Sequence, residues 1–433
     1  MRNKEKRGVS AGTIFMLTLT VCVLVSVVYI LPRLSSGSGA DISSVRMQVL
    51  SIRDGHEQIL EETEADTGTS VATARTPDGV SVTPEPQYTA PARSFTLTAG
   101  GTIAVEEGIR KSGYSAETKK YDFSDISGLL RGETKADINV VFLENILYDD
   151  VKYTANTVPV NAVSIPGNAG FDTVAAGFHG AWEQGREGIT ETAVTLTENG
   201  MDYLGIPPDT DESAVHYRTV NGIKTAMLQY TDTVPAATRK KMEKENAAGA
   251  IPDLSPEAAA ADIAEARENG AQVVIVFLNW GKVGAKEPDK EQKQLAQRIA
   301  DAGADLIIGA GSRVAQTAEY LSSRGADGNT RKVLCIYSLG TLLGENRKNT
   351  NRLGGYLANL SVSVDEDGIV TIDRATYTPD YIWHYRQDGR DCYRCIAPDR
   401  APPDGMDADN TKAMGKLREF LQKVLDGTPL TAR

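Results

Sequence analysis

The chain has 433 residues, of which 41% are hydrophobic and 24% charged, so it has enough apolar residues for one large domain or two ordinary ones. Its formal net charge is -12 and its isoelectric point is about 5.0. This charge disfavours nucleic-acid binding, which needs a basic surface, and also disfavours simple electrostatic capture of a polyanion. The four cysteines, one of them in an apolar N-terminal segment, are too few for a disulfide framework.

Residues 11–31 predict a transmembrane helix, because they are uncharged and match the roughly 20 residues that cross a bilayer. Residues 1–10 contain four basic side chains, which predicts a cytoplasmic N-terminus and an extracellular C-terminal domain. Ser38–Ala40 leaves a cleaved signal peptide as the alternative. The apolar run exceeds the ~7–15 residues of a signal-peptide core, so we favour an uncleaved signal-anchor in the cell membrane.

Residues 32–93 predict a stalk and a low-complexity linker. Apolar residues of Ile42–Glu62 recur at nearly helical spacing, which indicates a short stalk helix. Residues 63–93 are rich in Thr, Ala, Pro and acidic side chains. Such a composition buries too little apolar surface to fold, so we expect a disordered tether.

Residues 94–385 predict a globular α/β domain, and residues 386–433 a C-terminal extension. Two apolar strands, Val273–Leu278 and Leu306–Gly309, flank a helical pattern at 289–302. Strands alternating with helices favour a layered α/β fold, and antiparallel pieces argue against a purely doubly wound sheet. The other predicted elements are strands at 136–143, 171–176 and 332–337, helices at 121–130, 188–199 and 411–425, a hairpin at 215–230 around Asn221-Gly222, a helix start at Ser255-Pro256, and an antiparallel pair at 356–364 and 369–377.

The loops that follow these strands are the expected place for a site, since ligands bind at the carboxyl ends of strands in α/β sheets. Six stretches match one family in order and spacing, namely Tyr121–Ser124, Phe171–Val174, Val220–Lys224, Asn279–Gly281, Ala302–Gly309 and Tyr337–Gly340. Through them, the chain from 95 to 377 resembles the CapA (PgsA-like) family of poly-γ-glutamate and capsule biosynthesis proteins, relatives of the calcineurin-like metallophosphoesterases. The resemblance implies a two-sheet α-β-β-α sandwich with a dimetal-type site at the strand ends.

Several positions depart from the pattern that the resemblance implies for metal ligands. Gly100-Gly101 stands where the family has Gly-Asp, and Phe142–Glu144 keeps only the acid of Asn-Leu-Glu. Gly177–His179 keeps only the imidazole of Asn-Asn-His, and Asn279–Gly281 replaces His-Trp-Gly. Gly309–Arg313 stands for Gly-His-His-Pro-His and contains no histidine. Most of the implied ligands are therefore missing.

Glu144 and His179 remain as candidate metal ligands and candidate catalytic residues, while Asn279, Trp280 and Arg313 are candidates for binding a ligand. Two ligands are fewer than the three that catalytic zinc generally has. We therefore expect no resident cofactor, or manganese or zinc if the site is active. The cation of Arg313 repels a metal but suits a carboxylate or phosphate.

These observations predict a membrane-anchored CapA-like protein of cell-surface polymer biosynthesis. With a degenerate metal site, it would act as a scaffold or binding partner for other envelope or capsule synthesis proteins, with an anionic small molecule or polymer as a possible ligand. Two alternatives stay open. One is an active hydrolase or transferase with a rebuilt site, and the other is a sensory or binding ectodomain unrelated to a polymer.

The cysteines outside the anchor allow more than one interpretation. Cys392 and Cys395 have the spacing of a local disulfide, or of two zinc ligands completed by Cys335 and His384. Free thiols are a further possibility. Cys335 lies within a predicted strand, and we expect it to be a core residue.

Overall fold

The computed structural model describes residues 93–207, 213–232, 234–324, 328, 330–397 and 402–433. The predicted cytoplasmic segment, the membrane anchor and all but the last residue of the predicted stalk and linker lie outside these ranges. Within the described ranges, no helix combines the length and the apolar character needed to span a bilayer.

Strands and helices alternate along most of the chain. The strands are β1 (Arg93–Ile103), β2 (Tyr114–Ser115), β3 (Lys120–Tyr121), β4 (Ile138–Leu143), β5 (Ile146–Leu147), β6 (Thr157–Val158), β7 (Thr173–Ala175), β8 (Asp202–Leu204), β9 (His216–Val220), β10 (Ile223–Thr231), β11 (Val273–Trp280), β12 (Leu306–Gly311), β13 (Ala318–Arg324), β14 (Thr330–Ile336), β15 (Thr341–Leu343), β16 (Tyr356–Val364), β17 (Val370–Pro379), β18 (Tyr381–Gln387), β19 (Arg390–Ile396) and β20 (Thr431–Ala432). The α-helices are α1 (Glu107–Ser112), α2 (Ser164–Ala169), α3 (Gly185–Glu198), α4 (Ala236–Lys244), α5 (Pro256–Glu268), α6 (Lys290–Ala302) and α7 (Ala408–Leu425).

Two mixed sheets organise these elements. The first has eight strands, in the order β20-β17-β16-β1-β4-β7-β8, with β15 paired to β1. The second has six strands, in the order β13-β14-β12-β11-β10-β9. In the second sheet the four central strands are parallel and an antiparallel strand lies at each edge. In the first sheet β1, β4, β7 and β8 are parallel, and the antiparallel pair of β16 and β17 lies on one side of them. The prediction of a mixed α/β fold rather than a purely doubly wound sheet is confirmed.

The two sheets share one apolar core. Phe95 and Phe142 of the first sheet lie in the same buried cluster as Phe277 of the second. The rings of Phe142 and Phe277 meet edge to face, with centroids 6.1 Å apart. On the outer faces, α3 buries Leu196 against the first sheet, and α5 and α6 cover the second. The alternation of side chains along each strand allows it to bury both faces.

Sequence signals that define helix ends are confirmed where they combine a cap with a turn residue. Ser255 accepts a hydrogen bond from the backbone N–H of Ala258 at the start of α5. Asp289 and Gln292 form a reciprocal capping box at the start of α6, and Gly303 follows its last turn. These caps involve only residues close together in sequence, which makes the helix ends predictable from the sequence.

The prediction of a helix at 121–130 is wrong. Tyr121 belongs to β3, and only Gly128–Leu130 forms a turn of 3₁₀ helix. The carboxylate of Asp122 accepts a hydrogen bond from the backbone N–H of Ser124 at 2.9 Å, which stabilises a turn at the expense of helix. The turns bury Phe123 and Ile126, so their apolar spacing resembles that of a helix.

The C-terminal residues contribute to the same core. The predicted domain boundary at residue 385 falls inside β18, which pairs with β19. Helix α7 buries Leu417 and Leu421 in the cluster between the sheets. The phenol of Tyr381 donates a hydrogen bond of 2.8 Å to Asn410 on α7.

Of the alternatives for Cys392 and Cys395, the local disulfide is wrong and free thiols are what the structure has. Residues three apart on a strand point to opposite faces, which separates their sulfur atoms. Cys395 is buried and its thiol lies 3.1 Å from the carbonyl oxygen of Leu342, whereas Cys392 is half-buried. Cys335 is a core residue, as predicted.

Replacing Gly309 by alanine is expected to cost about 1–3 kcal/mol of unfolding free energy, as overpacking usually does. A Cβ at this position would overlap the carbonyl oxygen of Tyr337 and the indole nitrogen of Trp280. Urea denaturation measures the loss. Gly415, inside α7, is the control because a Cβ there meets no atom. Alanine at 415 is expected to stabilise by about 0.5–1 kcal/mol. Equal stability of the two variants would contradict the close approach at Gly309.

Candidate functional site

Four polar side chains from both sheets meet where parallel strands end. Glu106 lies three residues beyond β1, and Glu144 follows β4 directly. Asn279 is the penultimate residue of β11, and Arg313 lies two residues beyond β12. We call these residues the Arg313 cluster. The structure brings Glu144, Asn279 and Arg313, which the sequence places at or just beyond strand ends, into contact with one another.

Glu144 is the most deeply buried acid of the Arg313 cluster, with 3% of its side chain exposed. Its Oε2 accepts a hydrogen bond of 2.8 Å from Arg313 Nε and another from Nη2. Its Oε1 accepts one of 3.0 Å from Asn279 Nδ2 and a long one, at 3.5 Å, from Thr102. Both carboxylate oxygens are therefore engaged by protein donors.

Arg313 links two carboxylates. Its Nη1 lies 3.1 Å from Glu106 Oε1, and 17% of its side chain is exposed. Burial alone would lower the pKa of this guanidinium, but the charges and hydrogen bonds of Glu144 and Glu106 outweigh it and raise the pKa. Arg313 is therefore a permanent cation at this place.

The backbone directs Arg313 into the cluster. Its φ of 55° lies in the left-handed region, which costs a non-glycine residue about 1–2 kcal/mol. The hydroxyl of Thr341 donates a 2.8 Å hydrogen bond to the Arg313 carbonyl, and the Ser312 hydroxyl donates one of 2.9 Å to Ser338. These bonds hold a conformation that is otherwise unfavourable, as is common at functional sites.

A second arginine, Arg352, borders the Arg313 cluster and was missed by the sequence analysis. Burial, followed by the charge of Arg313, lowers its pKa, and Glu106 and Glu144 act in the opposite direction. Its buried Nε has no hydrogen-bond partner among the described residues. The only sequence signal was the basic stretch 347–352, which no motif marked.

His179 does not join the Arg313 cluster. It is exposed, whereas the preceding Phe178 is buried in the core and meets its ring edge to face at 5.8 Å. His179 lines a separate cleft with Asn156, Glu183 and Lys241. Within the described part of the chain, no hydrogen bond or ion pair connects it to Glu144.

Trp280 lies in the core and not in a groove. Only 1% of it is exposed, and its indole stacks on the ring of Tyr337 with centroids 5.8 Å apart. Its Nε1 donates a 2.8 Å hydrogen bond to the Tyr337 carbonyl. A buried indole whose donor is already used has no surface left for a ligand.

The residues of the Arg313 cluster do not fit a divalent cation. Across the described ranges, no three His, Cys, Asp or Glu side chains are grouped so that they could hold a metal ion. The zinc alternative for Cys392 and Cys395 with Cys335 and His384 therefore does not correspond to a grouped ligand set among the described residues. The carboxylate of Glu144 already binds a guanidinium, whose charge repels a metal. The arrangement is instead an internal ion-pair network.

The family model for "Bacterial capsule synthesis protein PGA_cap" matches residues 96–346, which is more than half of the chain. The chain belongs to this family. The match includes all of the Arg313 cluster and ends before Arg352, β18, β19 and α7. Resemblance to the CapA family, inferred from the strand-end loops, is confirmed.

Two curated proteins are similar over part of the chain. "PGA biosynthesis protein CapA" of Bacillus subtilis (strain 168) is 26% identical over 184 residues, covering 42% of this chain and 45% of that protein. "Capsule biosynthesis protein CapA" of Bacillus anthracis is 26% identical over 198 residues, covering 45% of this chain and 44% of that protein. The alignments thus span less than half of these relatives' length.

Among solved structures, the NAD nucleotidase of Haemophilus influenzae aligns with a TM-score of 0.40 and 12% identity, over 79% of this chain and 64% of that protein. A hypothetical protein of Thermus thermophilus aligns with a TM-score of 0.37 and 14% identity, over 66% of this chain and 99% of that protein.

Proposed function

We propose that this protein is anchored in the cell membrane and takes part in making a capsule or poly-γ-glutamate polymer outside the cell, as a binding partner or scaffold and not as a metal-dependent phosphoesterase. Membership of the PGA_cap family and the names of its Bacillus relatives support the process. The uncharged segment 11–31, preceded by basic residues, supports the anchor. The ion pair between Arg313 and Glu144 supports the loss of metal chemistry.

A guanidinium lacks the chemical properties that make a metal ion catalytic. A catalytic metal polarises a phosphoryl oxygen, lowers the pKa of a bound water and keeps an open coordination position. Arg313 supplies positive charge next to Glu144 but no vacant coordination position and no activated water. The Arg313 cluster therefore retains a charge arrangement that holds the strand ends together, without the means to generate a nucleophile.

The charge balance of the cluster also bears on its ligands. Glu106 and Glu144 are balanced by Arg313 and the neighbouring Arg352. Because these two acids and two arginines balance and the chain has a net charge of -12, capture of a polyanion by long-range attraction is disfavoured. We therefore favour proteins of envelope or capsule synthesis, and not a polyanion, as the binding partners of this chain.

Elemental analysis tests the proposal. After incubation of the purified chain with manganese or zinc, we expect far less than one metal ion per chain, because the acids of the cluster are paired with Arg313. The content is expected to be the same in the His179→Ala variant, and in a His216→Ala control whose imidazole pairs with Asp202. Near-stoichiometric metal that disappears only in His179→Ala would overturn the proposal and favour a rebuilt hydrolase site.

A further inference from the structure

A cleft between two hairpins lies outside the Arg313 cluster and has no assigned role. One wall is segment 112–126, which includes the β2–β3 hairpin, and the other is segment 385–394 of the β18–β19 hairpin. The backbone N–H of Cys395 donates a 2.7 Å hydrogen bond to the carbonyl of Ile126, which fixes one wall against the other. We call this space the hairpin cleft. One of its walls lies beyond the residues that match the PGA_cap family.

The first wall of the hairpin cleft is aromatic. Tyr114 is 39% exposed and its ring centroid lies 5.1 Å from that of Tyr121. Tyr121 in turn stacks on Phe123 at 6.0 Å and meets Tyr153 edge to face. The exposed ring of Tyr114 thus packs against a ring that two further aromatic side chains hold in place. An aromatic ring held in this way is a rigid apolar platform.

The opposite wall combines a second aromatic side with planar polar groups. Tyr385 packs on Trp383 at 4.4 Å and lies under the guanidinium of Arg394 at 5.7 Å. Gln387 and Arg390 are exposed at the tip of the same hairpin. Amide and guanidinium groups donate hydrogen bonds in fixed planes, which suits a rigid ligand with many hydroxyls.

The charges in the hairpin cleft balance. Asp122 and Asp125 stand against Arg390 and Arg394, and among these four described side chains the only ion pair is a long contact of 3.9 Å between Arg394 and Asp125. The Ser124 backbone N–H lowers the pKa of Asp122 below its ordinary value, which keeps this carboxylate an acceptor at neutral pH. The neutral lining of the cleft does not attract a cation, and the net charge of -12 on the chain repels a polyanion, so neither is favoured as the ligand.

We propose that the hairpin cleft binds one unit of a neutral saccharide. A sugar ring has a face of C–H groups, which packs on Tyr114, and a rim of hydroxyls, which bonds to Asp122, Gln387 and Arg390. The cleft volume of about 270 Å³ lies just below the range of about 300–1,000 Å³ usual for small-molecule sites, which fits a single ring. Paired charged and amide groups give strong, directional bonds to hydroxyls without any need for a charged ligand.

The test uses saturation-transfer NMR on the full chain in a zwitterionic detergent without a sugar headgroup. The probes are maltotriose and N,N′,N″-triacetylchitotriose, with trigalacturonate as the anionic comparison. We expect at least one neutral trisaccharide to bind and trigalacturonate not to bind. Binding of the neutral probe is expected to be about tenfold weaker in Tyr114→Ala and weakened in Gln387→Ala. Tyr320→Ala is the matched control, since Tyr320 is also 39% exposed but lies on β13.

Cys392 provides a second readout inside the cleft. It is half-buried, free and part of the lining, whereas Cys335 and Cys395 are buried. The bound trisaccharide is expected to slow alkylation of Cys392, measured by mass spectrometry of its peptide, and not to do so in Tyr114→Ala. Failure of both neutral probes to bind, binding of trigalacturonate alone, or equal binding by Tyr114→Ala and wild type would each overturn the proposal. None of these outcomes bears on metal content, so they are distinct from failure of the proposed function.

Discussion

The Arg313→Met variant is expected to lose about 3–5 kcal/mol of unfolding free energy, the usual cost of removing one partner from a buried ion pair. The change leaves Glu144 almost fully buried without its directly paired cation, and only the neutral donors Asn279 and Thr102 remain hydrogen-bonded to it. Methionine keeps the length and the apolar stem of the side chain, so the loss reports on charge more than on packing. Urea denaturation followed by circular dichroism measures the difference.

Adding Glu144→Gln to Arg313→Met is expected to recover most of the loss, because the deeply buried carboxylate is then replaced by a neutral amide. Glu106 also loses its partner Arg313, but its side chain is 26% exposed and keeps the nearby charge of Arg352. The amide oxygen of the new glutamine can still accept from Asn279 Nδ2, which now bonds to Glu144 at 3.0 Å. A double-mutant cycle gives the coupling between the two side chains directly. Replacement of a buried pair by uncharged residues is often close to neutral in other proteins.

The control for this cycle is Arg298→Met. Arg298 pairs with Glu257 at 2.6 Å, but both side chains are largely exposed. Exposed pairs contribute about 0–1 kcal/mol, so this variant should be nearly as stable as the wild type. If Arg313→Met cost no more than Arg298→Met, the Arg313 cluster would not be the buried network described above.

The sequence predicted the scaffold well because its signals are local. Short apolar runs and the helical pattern between them placed β11, α6 and β12 within two residues of their observed ends. Where local signals conflict, prediction failed: at Tyr121–Leu130 an apolar spacing typical of a helix arises from successive turns that bury Phe123 and Ile126. The hydrogen bond from Ser124 to Asp122 that stabilises the turn competes with helix, and composition alone does not decide between them.

The candidate site was only partly predictable, because its members are joined through tertiary structure. Glu144, Asn279 and Arg313 all follow or end strands, so the strand-end rule could find them. Glu106 pairs with Arg313 across 207 positions of sequence, and no local pattern marks that pairing. His179 also follows a strand, yet Phe178 takes the buried position next to it and leaves the imidazole at the surface.

The second large effect is expected at Asp380, between β17 and β18. This carboxyl is fully buried, and its Oδ1 accepts a hydrogen bond of 3.0 Å from the Gly355 N–H. Its Oδ2 has no partner among the described residues. Burial raises the pKa of Asp380 well above its ordinary value, with the Gly355 bond acting weakly in the opposite direction. Asp380 is therefore protonated in the folded chain at pH values where it is ionised in the unfolded chain.

The sign of the pH effect follows from proton binding. Above the ordinary pKa of about 3.9, the unfolded state holds fewer protons at this position than the folded state, so the free energy of unfolding falls as pH rises. The fall continues until pH passes the raised pKa of the folded state. The side-chain amide introduced by Asp380→Asn does not titrate. The stability of this variant relative to the wild type should therefore grow by about 1.4 kcal/mol per pH unit in this window.

Urea denaturation of both proteins between about pH 5 and about pH 7, within the window of usual maximal stability, measures this divergence. The pH dependence shared by all other groups cancels in the difference, including that of Cys395, whose pKa is raised well above its ordinary value by burial and by the charge of Asp380. Asp367→Asn, at an exposed turn, is the control, and its curve should run parallel to that of the wild type. Parallel curves for Asp380→Asn would mean that Asp380 is ionised in the folded state, and that a compensating cation or water lies beside its Oδ2.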